Sequence, residues 1–379
     1  MHVEQLHFSG GRWWSALDAG DPATDAQLVL VFGDRDTLSS GQFLPSLRDR
    51  FPGATVVSCS GGGAILGGHV VDEGLTATAL KFAQATVNAA TLPLPSSDAS
   101  DSVGEALAML LPHGGLRHVL IFAEGLHVNG TALSRGLSRG LPAGVTVTGG
   151  LAADGERFEA TVVGLDETPA SDRVVAVGLY GSGLRISIGS FGGWETFGID
   201  RLITRSSGNT LHELDGQPVL ELYKELLGPL GYALPASGLL FPLEVRASLD
   251  APGVIRTILG IDAEAGSVTF AGDVPEGSYG RLVRTNLDQL IEAAGTAAGQ
   301  TTSTSKPAGE SLAIAVSCIG RKLLLQRRVD EELASVREVL GDEVKLAGFY
   351  AYGELAPSAQ DAPCELHNQT MTITTISEA

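Results

Sequence analysis

The sequence predicts an α/β protein of pseudo-repeated strand–helix–strand modules, with mixed sheets packed together and helices outside. An apolar run, a helical stretch, a second apolar run and a glycine-containing turn follow one another three times, over residues 27–63, 117–150 and 312–354. The modules share this pattern and not their residue identities. Such strands are buried in a sheet that carries helices on one face. The 379 residues, 44% of them hydrophobic, suffice for a large core.

The first module begins with residues 27–32, a continuous apolar run typical of a buried strand. We expect a helix over 39–50 and a second strand over 54–59, which leads into three consecutive glycines. Before the module, residues 1–26 are expected to form an irregular N-terminal extension. After it, residues 75–88 are rich in Thr, Ala and Val, which favours one longer strand.

The second and third modules repeat this order. Residues 117–122 predict a strand, Asn129 is the expected cap of a helix, and 145–148 predict the next strand. In the third module, strands are predicted over 312–317 and 344–350. The helix between them has an apolar stripe at helical spacing, formed by Val329, Leu333, Val336 and Leu340.

A different segment separates the second module from the third. Residues 184–190 alternate between apolar and polar types, which predicts a strand. A helix is expected from Pro218 to Gly228, a hairpin within 254–271, and a helix capped by Asn286. The Gly-, Thr- and Ser-rich residues 295–310 predict a flexible loop.

Composition excludes several kinds of protein. The net charge of −19 argues against nucleic acid and anionic membranes as partners, because both need clustered Lys and Arg. We find neither a secretory signal pattern nor an apolar run near the roughly 20 residues of a membrane span. We therefore expect a cytoplasmic protein without membrane partners. Neither a disulfide framework nor a metal site is expected from three cysteines without a CxxC pair, Cys59, Cys318 and Cys364.

The candidate ligand-binding residues lie where predicted strands end. Strand ends that recur in three similar units should gather on one side of their sheets, where open α/β sheets bind ligands. We therefore expect the strand-end turns and the His-Asn-Gln run near the C-terminus to converge at one cleft. The predicted set is Cys59, Ser60, Gly61, Gly62, Gly149, Gly150, Asp154, Tyr352, Gly353, Glu354, His367, Asn368 and Gln369.

Each of these features also has a structural explanation. The glycine run at 61–63 offers backbone N–H groups to an anion, or forms a tight turn. Cys59 is a reactive thiol or a small core residue, and Cys318 is expected at the equivalent place in the third module. Asp154 and Glu354 suit acid–base chemistry, capping or binding of an amine. The run His367-Asn368-Gln369 holds a small polar ligand or fixes the loop before it. No catalytic residue is assigned.

Five stretches resemble the FIST family. Residues 56–63 are similar to its first glycine turn, 149–158 to its second, and 203–218 to the junction of its two modules. Residues 348–355 and 365–371 resemble its C-terminal signature. The resemblance covers about residues 27–376, and the motifs occur in order.

Two departures from the family pattern are visible. Ala64 stands where the family has Glu, and residues 190–194 replace a Ser-Gln-Gly-Trp-like run. The resemblance implies an FIST N-like domain over 27–215 and an FIST C-like domain over 216–379. It also implies an intracellular sensory protein, bacterial in composition, that binds a small polar metabolite and signals to a separate protein. The sequence leaves open whether the protein forms a homo-oligomer.

Three alternatives accompany this prediction. Some FIST relatives are haem-based nitric-oxide sensors, so haem is the alternative to a cofactor-free protein. His367 would be its ligand, with His127 and His212 as further candidates. A hydrolase-like enzyme and a protein-interaction scaffold are the other two.

Overall fold

The computed structural model describes residues 1–15, 23–302, 309–359 and 362–379. It confirms the predicted α/β class, with three similar mixed sheets and a fourth sheet of different build. Among the described residues, no helix is both long and apolar enough to cross a membrane. The helices are α1 (Arg35–Ser39), α2 (Leu44–Arg50), α3 (Ser100–Leu110), α4 (Gly130–Gly140), α5 (Val219–Leu227), α6 (Leu287–Thr301), α7 (Ile319–Leu325) and α8 (Val329–Leu340).

The strands account for the rest of the regular structure. They are β1 (His2–Ser9), β2 (Arg12–Ser15), β3 (Leu28–Gly33), β4 (Thr55–Ser60), β5 (Ala64–Leu66), β6 (His69–Val71), β7 (Leu75–Lys81), β8 (Thr86–Pro93), β9 (Leu116–Ala123), β10 (Thr146–Leu151), β11 (Val163–Leu165), β12 (Arg173–Tyr180), β13 (Leu184–Phe191), β14 (Glu195–Thr196), β15 (Arg201–Ser207), β16 (Thr210–Leu214), β17 (Gln217–Pro218), β18 (Leu243–Arg246), β19 (Gly253–Arg256), β20 (Ile258–Asp262), β21 (Ser267–Phe270), β22 (Tyr279–Arg284), β23 (Ser311–Cys318), β24 (Val344–Ala351), β25 (Gly353–Pro357), β26 (Cys364–His367) and β27 (Met371–Glu378).

The three similar sheets share one arrangement of their central strands. A parallel pair from one strand–helix–strand module is joined on its first strand by an antiparallel third strand. The centres are β4-β3-β7 in the first sheet, β10-β9-β12 in the second and β24-β23-β27 in the third. These pairings confirm the threefold pattern predicted from sequence.

The three sheets exchange one strand each in a cycle. After the second strand of its module, the chain leaves its own sheet and pairs antiparallel with the second strand of another module. Thus β5 joins the third sheet, β25 the second and β11 the first. In this register Ala64, Glu354 and Val163 occupy equivalent positions.

The three sheets meet at a shared core. Phe32, Phe122 and Phe349 are buried and contact one another, with ring centroids 4.9 to 6.1 Å apart. Apolar residues of all three modules surround them. Helices cover the outer faces, α3 and α4 on the second sheet and α6 and α8 on the third. In α8 the predicted stripe buries Leu333 and Val336 completely.

Residues 195–284 form the fourth sheet, of nine strands, together with α5. Its core consists of residues between 203 and 282 and is separate from the cores of the three modules. The predicted helix after Pro218 is confirmed as α5, and β20–β21 is the predicted hairpin.

Several local predictions are wrong. The N-terminal residues are not all irregular, because β1 and β2 extend the first sheet through pairing with β7. Residues 75–88 contain the whole of β7 and the start of β8, which belong to different sheets. Helix α6 continues through Thr301 because Ala294, Ala297 and Ala298 pack into the core. The predicted loop is therefore helical at 295–301, and its residues 303–308 lie outside the described residues.

Candidate functional site

The carboxyl ends of the second strands meet in a ring of backbone hydrogen bonds. In each module, a backbone N–H just beyond the second strand donates to the second strand of another module. The three bonds are Ala153 N to Ser60 O at 2.9 Å, Tyr352 N to Leu151 O at 3.1 Å, and Gly62 N to Tyr350 O at 2.8 Å. This ring brings the predicted glycine turns together.

The His-Asn-Gln run lies against the same ring. Glu354 on β25 pairs with His367 on β26, and its Oε2 accepts hydrogen bonds from the Thr370 N–H at 3.1 Å and hydroxyl at 2.6 Å. The four predicted stretches therefore converge. All thirteen predicted residues are buried, so they lie packed inside the protein and do not line an open cleft. Their binding of a ligand stays a prediction.

Several predicted residues are fully used by the fold. Burial among apolar side chains raises the pKa of the Cys59 thiol. The hydroxyl of Ser60 accepts a hydrogen bond from the Val162 N–H at 3.1 Å. Gly61, Gly62 and Gly353 are buried in the ring. The prediction that Cys318 matches Cys59 is wrong. Cys59 lies on the second strand of its module, where its counterpart in the third module is Phe349. Cys318 instead ends the first strand of the third module.

Gly149 and Gly150 are required by close backbone packing. Gly149 has φ +154°, and a Cβ there would lie 1.8 Å from the carbonyl oxygen of Ile121. A Cβ on Gly150 would lie 2.7 Å from Cγ1 of Val316. These glycines therefore let strands approach one another and leave no room for a ligand.

Asp154 and Tyr352 form a structural link between two modules. The Tyr352 hydroxyl donates to Asp154, which also accepts a hydrogen bond from Arg35 at 3.0 Å. Burial raises the pKa of Asp154, but the Tyr352 hydroxyl and the backbone N–H groups of Ala160 and Glu159 outweigh it, so the pKa lies below its ordinary value. Burial and the bond to Asp154 raise the pKa of Tyr352. Both groups have all the partners that they need.

Glu354, Asn368 and Gln369 differ from the rest of the set, and we call them the polar cluster. All three are completely buried. Oε1 of Glu354 and both amide atoms of Asn368 and Gln369 have no hydrogen-bond partner. Buried polar atoms are nearly always paired, since an unpaired one costs roughly 1–3 kcal/mol. Five such atoms on three side chains, two of them adjacent in the chain and the third bonded to Thr370 beside them, are what a bound polar molecule would satisfy.

Burial makes Glu354 favour its protonated, uncharged form at neutral pH. Burial raises its pKa to about 8, against the opposing effects of Thr370 and Arg321. The Cys318 thiol lies beside this carboxyl, and burial together with Glu354 raises the thiol pKa as well. Because thiolate is the nucleophilic form, Cys318 is not arranged for covalent catalysis.

A buried ion pair next to the polar cluster holds the backbone of Gln369 in place. Arg321 donates to Glu332 at 2.7 Å, and both side chains are completely inaccessible. Its other nitrogens donate to the carbonyls of Gly192, Leu290 and Gln369. Trp194 Nε1–H also donates to the Gln369 carbonyl, at 3.1 Å. These bonds fix Gln369 in the left-handed backbone region, with φ +55°.

Sequence reasoning missed this support. Apart from Arg321 and Lys322, residues 318–325 carry no charged side chain. An arginine in a run that packs inside the protein is a detectable sign of a buried ion pair. Glu332 gives no such signal, because the first turn of α8 contains three acidic residues and two of them are solvated.

The surroundings of His367 do not fit haem. Its Nε2 is 3.0 Å from the Ala356 carbonyl oxygen, and burial lowers the pKa of the ring. Its neighbours in the strand register and the chain are the polar cluster and not a wide apolar slot. His212 is half-buried on β16, and the exposed His127 lies beside Glu124 and Asp172. We derive no haem chemistry from these residues.

His127 belongs to a second group of ionisable side chains. Atoms of Glu124, His127 and Asp172 that could bind a metal lie within 4.8 Å of one another, at a pocket of about 770 Å³. Both carboxylate oxygens of Glu124 already accept backbone N–H groups, from Leu126 and His127. This group therefore has partners that the polar cluster lacks.

Comparisons with known proteins agree with the predicted family. The FIST N domain matches residues 27–217 and the FIST C domain matches residues 220–357. FIST domains are associated with sensing in signal transduction.

Individual relatives add no established activity. An uncharacterized protein of Mycobacterium bovis is 30% identical over 228 residues, 57% of each chain. An uncharacterized protein of Mycobacterium tuberculosis is 29% identical over 235 residues, 59% of each chain. The matches thus span a little over half the length of these curated relatives.

Among solved structures, the chain is similar to a cyanuric acid hydrolase from A. caulinodans. That likeness has a TM-score of 0.35 at 9% identity, and covers 94% of this chain and 91% of the hydrolase. Both domain matches follow in order along residues 27–357, and the chain belongs to the FIST family.

Proposed function

We propose that this protein is a sensor that binds a small polar metabolite at the polar cluster and passes the signal to a separate protein in the cytoplasm. The observation that supports this most directly is the set of five unpaired polar atoms on completely buried side chains. A molecule that pairs with them removes their desolvation cost, and so stabilises the bound state. The family's association with sensing agrees with this role.

The fourth sheet connects the polar cluster with the surface. Arg256 on β19 donates to the carbonyl of Leu366, just before the His-Asn-Gln run, at 2.8 Å. A Cβ on Gly320 would lie 3.4 Å from Cγ of Gln369 and 3.5 Å from a methyl carbon of Leu239. A ligand at the cluster would thus change its contacts with residues 195–284. The surface that these residues present to a partner would then differ between the free and the bound state.

A thermal-stability screen of small polar metabolites tests the proposal. We expect at least one compound to raise the melting temperature of the protein, because it binds only the folded state. The change Gln369→Met removes two amide atoms of the cluster at nearly constant size, and should abolish the shift. Gln300→Met is the matched control, since Gln300 is exposed and far along the chain from the cluster, and should keep it.

The opposite outcome is also defined. If no metabolite shifts the melting temperature and a high-resolution crystal structure places waters on all five atoms, the cluster is a hydrated structural element. The sensing proposal would then be withdrawn for this site.

A further inference from the structure

We infer that the ligand is an uncharged molecule with both donors and acceptors, of the carboxamide, lactam or imide class, and this rests on the proposed function. The inference depends on which hydrogen-bonding groups the polar cluster leaves free, and on the charges around it.

The free groups of the cluster are of both kinds. Oε2 of Glu354 receives two donors from Thr370 and is therefore the carbonyl oxygen of a protonated carboxyl. The hydroxyl is then on Oε1, which lacks a hydrogen-bond partner of good geometry, although the Cys318 thiol lies beside the carboxyl. Asn368 and Gln369 each add an unpaired N–H₂ donor and an unpaired carbonyl acceptor. A complementary ligand must offer acceptors to the first kind and donors to the second.

An anionic ligand lacks a counter-charge. Of the described cations around the cluster, Arg321 is paired with Glu332 and three carbonyls. Lys322 donates to Gly62 and Asp72, and Arg256 to the carbonyls of Leu366 and Asp273. A buried carboxylate or phosphate would therefore remain unpaired, which costs far more than a buried neutral group.

A cationic ligand would require Glu354 to ionise. The ionisable groups that face this carboxyl are Cys318 on β23, Arg321 on α7 and, through the strand pair, His367 on β26. Of these groups, all in the described part of the chain, Arg321 carries a charge, and Glu332 pairs with it. With a pKa of about 8, Glu354 favours its protonated form at neutral pH, which donates a hydrogen bond instead of accepting one from an ammonium group.

The test compares small probes of three charge types by ligand-observed NMR. Succinimide and 2-pyrrolidone are neutral, acetate is anionic and methylammonium is cationic. We expect the neutral probes to bind the full chain below the Glu354 pKa of about 8. Above it their affinity should fall by about tenfold per pH unit, as the hydroxyl donor is lost.

Two variants sharpen the result. Glu354→Gln keeps one donor and one acceptor at the same place, so it should bind the neutral probes with no such loss at high pH. Gln369→Met should abolish their binding, while a circular-dichroism spectrum like that of the wild type confirms folding. Gln300→Met should bind like the wild type at every pH.

The failures of the two proposals are distinguishable. Methylammonium binding that strengthens with pH, or acetate binding, in either case lost in Gln369→Met, would overturn the neutral-ligand inference and leave the sensor proposal intact. If no probe binds, the neutral-ligand inference is overturned, and if waters also fill the cluster, the sensor proposal is overturned with it.

Discussion

At the scale of single residues, Glu354 makes stability depend on pH. Its folded pKa is raised from 4.5 to about 8 by burial, so the folded state holds a proton that the unfolded state releases. This stabilisation is complete below 4.5 and is lost as the pH rises through about 8. Over that window the free energy of unfolding should fall by about 1.4 kcal/mol per pH unit.

Glu354→Gln isolates this effect. Glutamine cannot ionise, so the difference in unfolding free energy between the variant and the wild type should grow in the variant's favour as the pH rises from 4.5 to about 8. Urea unfolding at several pH values measures this difference. A constant difference would mean that Glu354 is not protonated in the folded protein.

The residues that complete the candidate site were only partly visible in the sequence. Glu354, Asn368 and Gln369 were predicted, because they stand at strand ends in the C-terminal signature. The sequence could not separate them from Asp154 and Tyr352, since pairing of those two depends on a contact across 198 positions. Which buried polar atoms stay unpaired is a property of the packed structure alone.

At the scale of elements, glycines set how closely the strands approach. Gly149 and Gly348 occupy equivalent positions in β10 and β24, with φ of +154° and +153°. A Cβ at either one would lie 1.8 Å from a carbonyl oxygen of the adjacent parallel strand. Only glycine allows this approach with a positive φ, and the third equivalent position, Ser58, does not have a positive φ.

Gly149→Ala should therefore destabilise the protein strongly. We expect a loss of about 3 kcal/mol or more in unfolding free energy, because backbone and not a flexible side chain must move. Gly114→Ala is the control, since a Cβ there meets nothing within 4 Å, and should change stability by less than about 0.5 kcal/mol. Chemical denaturation of both variants measures the two effects. Equal stability would contradict the close packing of β9 and β10.

Elements with strong local patterns were predicted well, and those that depend on distant partners were not. The apolar cores of β3, β9 and β23 and the stripe of α8 follow from periodicity alone. Strand β1 is defined by its partner β7, about seventy positions away, and only Val3, Leu6 and Phe8 are buried along it. Helix α3, from Ser100 to Leu110, was not predicted.

At the scale of the whole molecule, the cyclic exchange of strands joins three modules into one unit. A strand of each module completes the sheet of another, and the ring of backbone bonds closes the arrangement. The threefold pattern was readable in the sequence, but the exchange was not, because β5, β11 and β25 are short and carry no partner information. The division into domains at 215 and 216 stays a prediction.

The separate core of residues 203–282 predicts two levels of stability in hydrogen exchange. We expect the backbone amides of β15, β16 and β22 to exchange through a smaller opening than those of β3, β9 and β23, because their core is built within one segment of the chain. The three central strands share one core that draws on every module, so their amides should exchange together. Mass spectrometry on peptic peptides of the full chain resolves the two groups.

Two core truncations test this last prediction, each expected to cost about 2–5 kcal/mol. Leu214 lies fully buried in the fourth-sheet core, and Leu120 is 1% exposed in the shared core. Leu214→Ala should accelerate exchange only within 195–284, because the other sheets do not depend on that core. Leu120→Ala should accelerate amide exchange in β3, β9 and β23 alike, although Leu120 itself lies on β9. If Leu120→Ala affects the second sheet only, the modules fold independently and the strand exchange does not couple them.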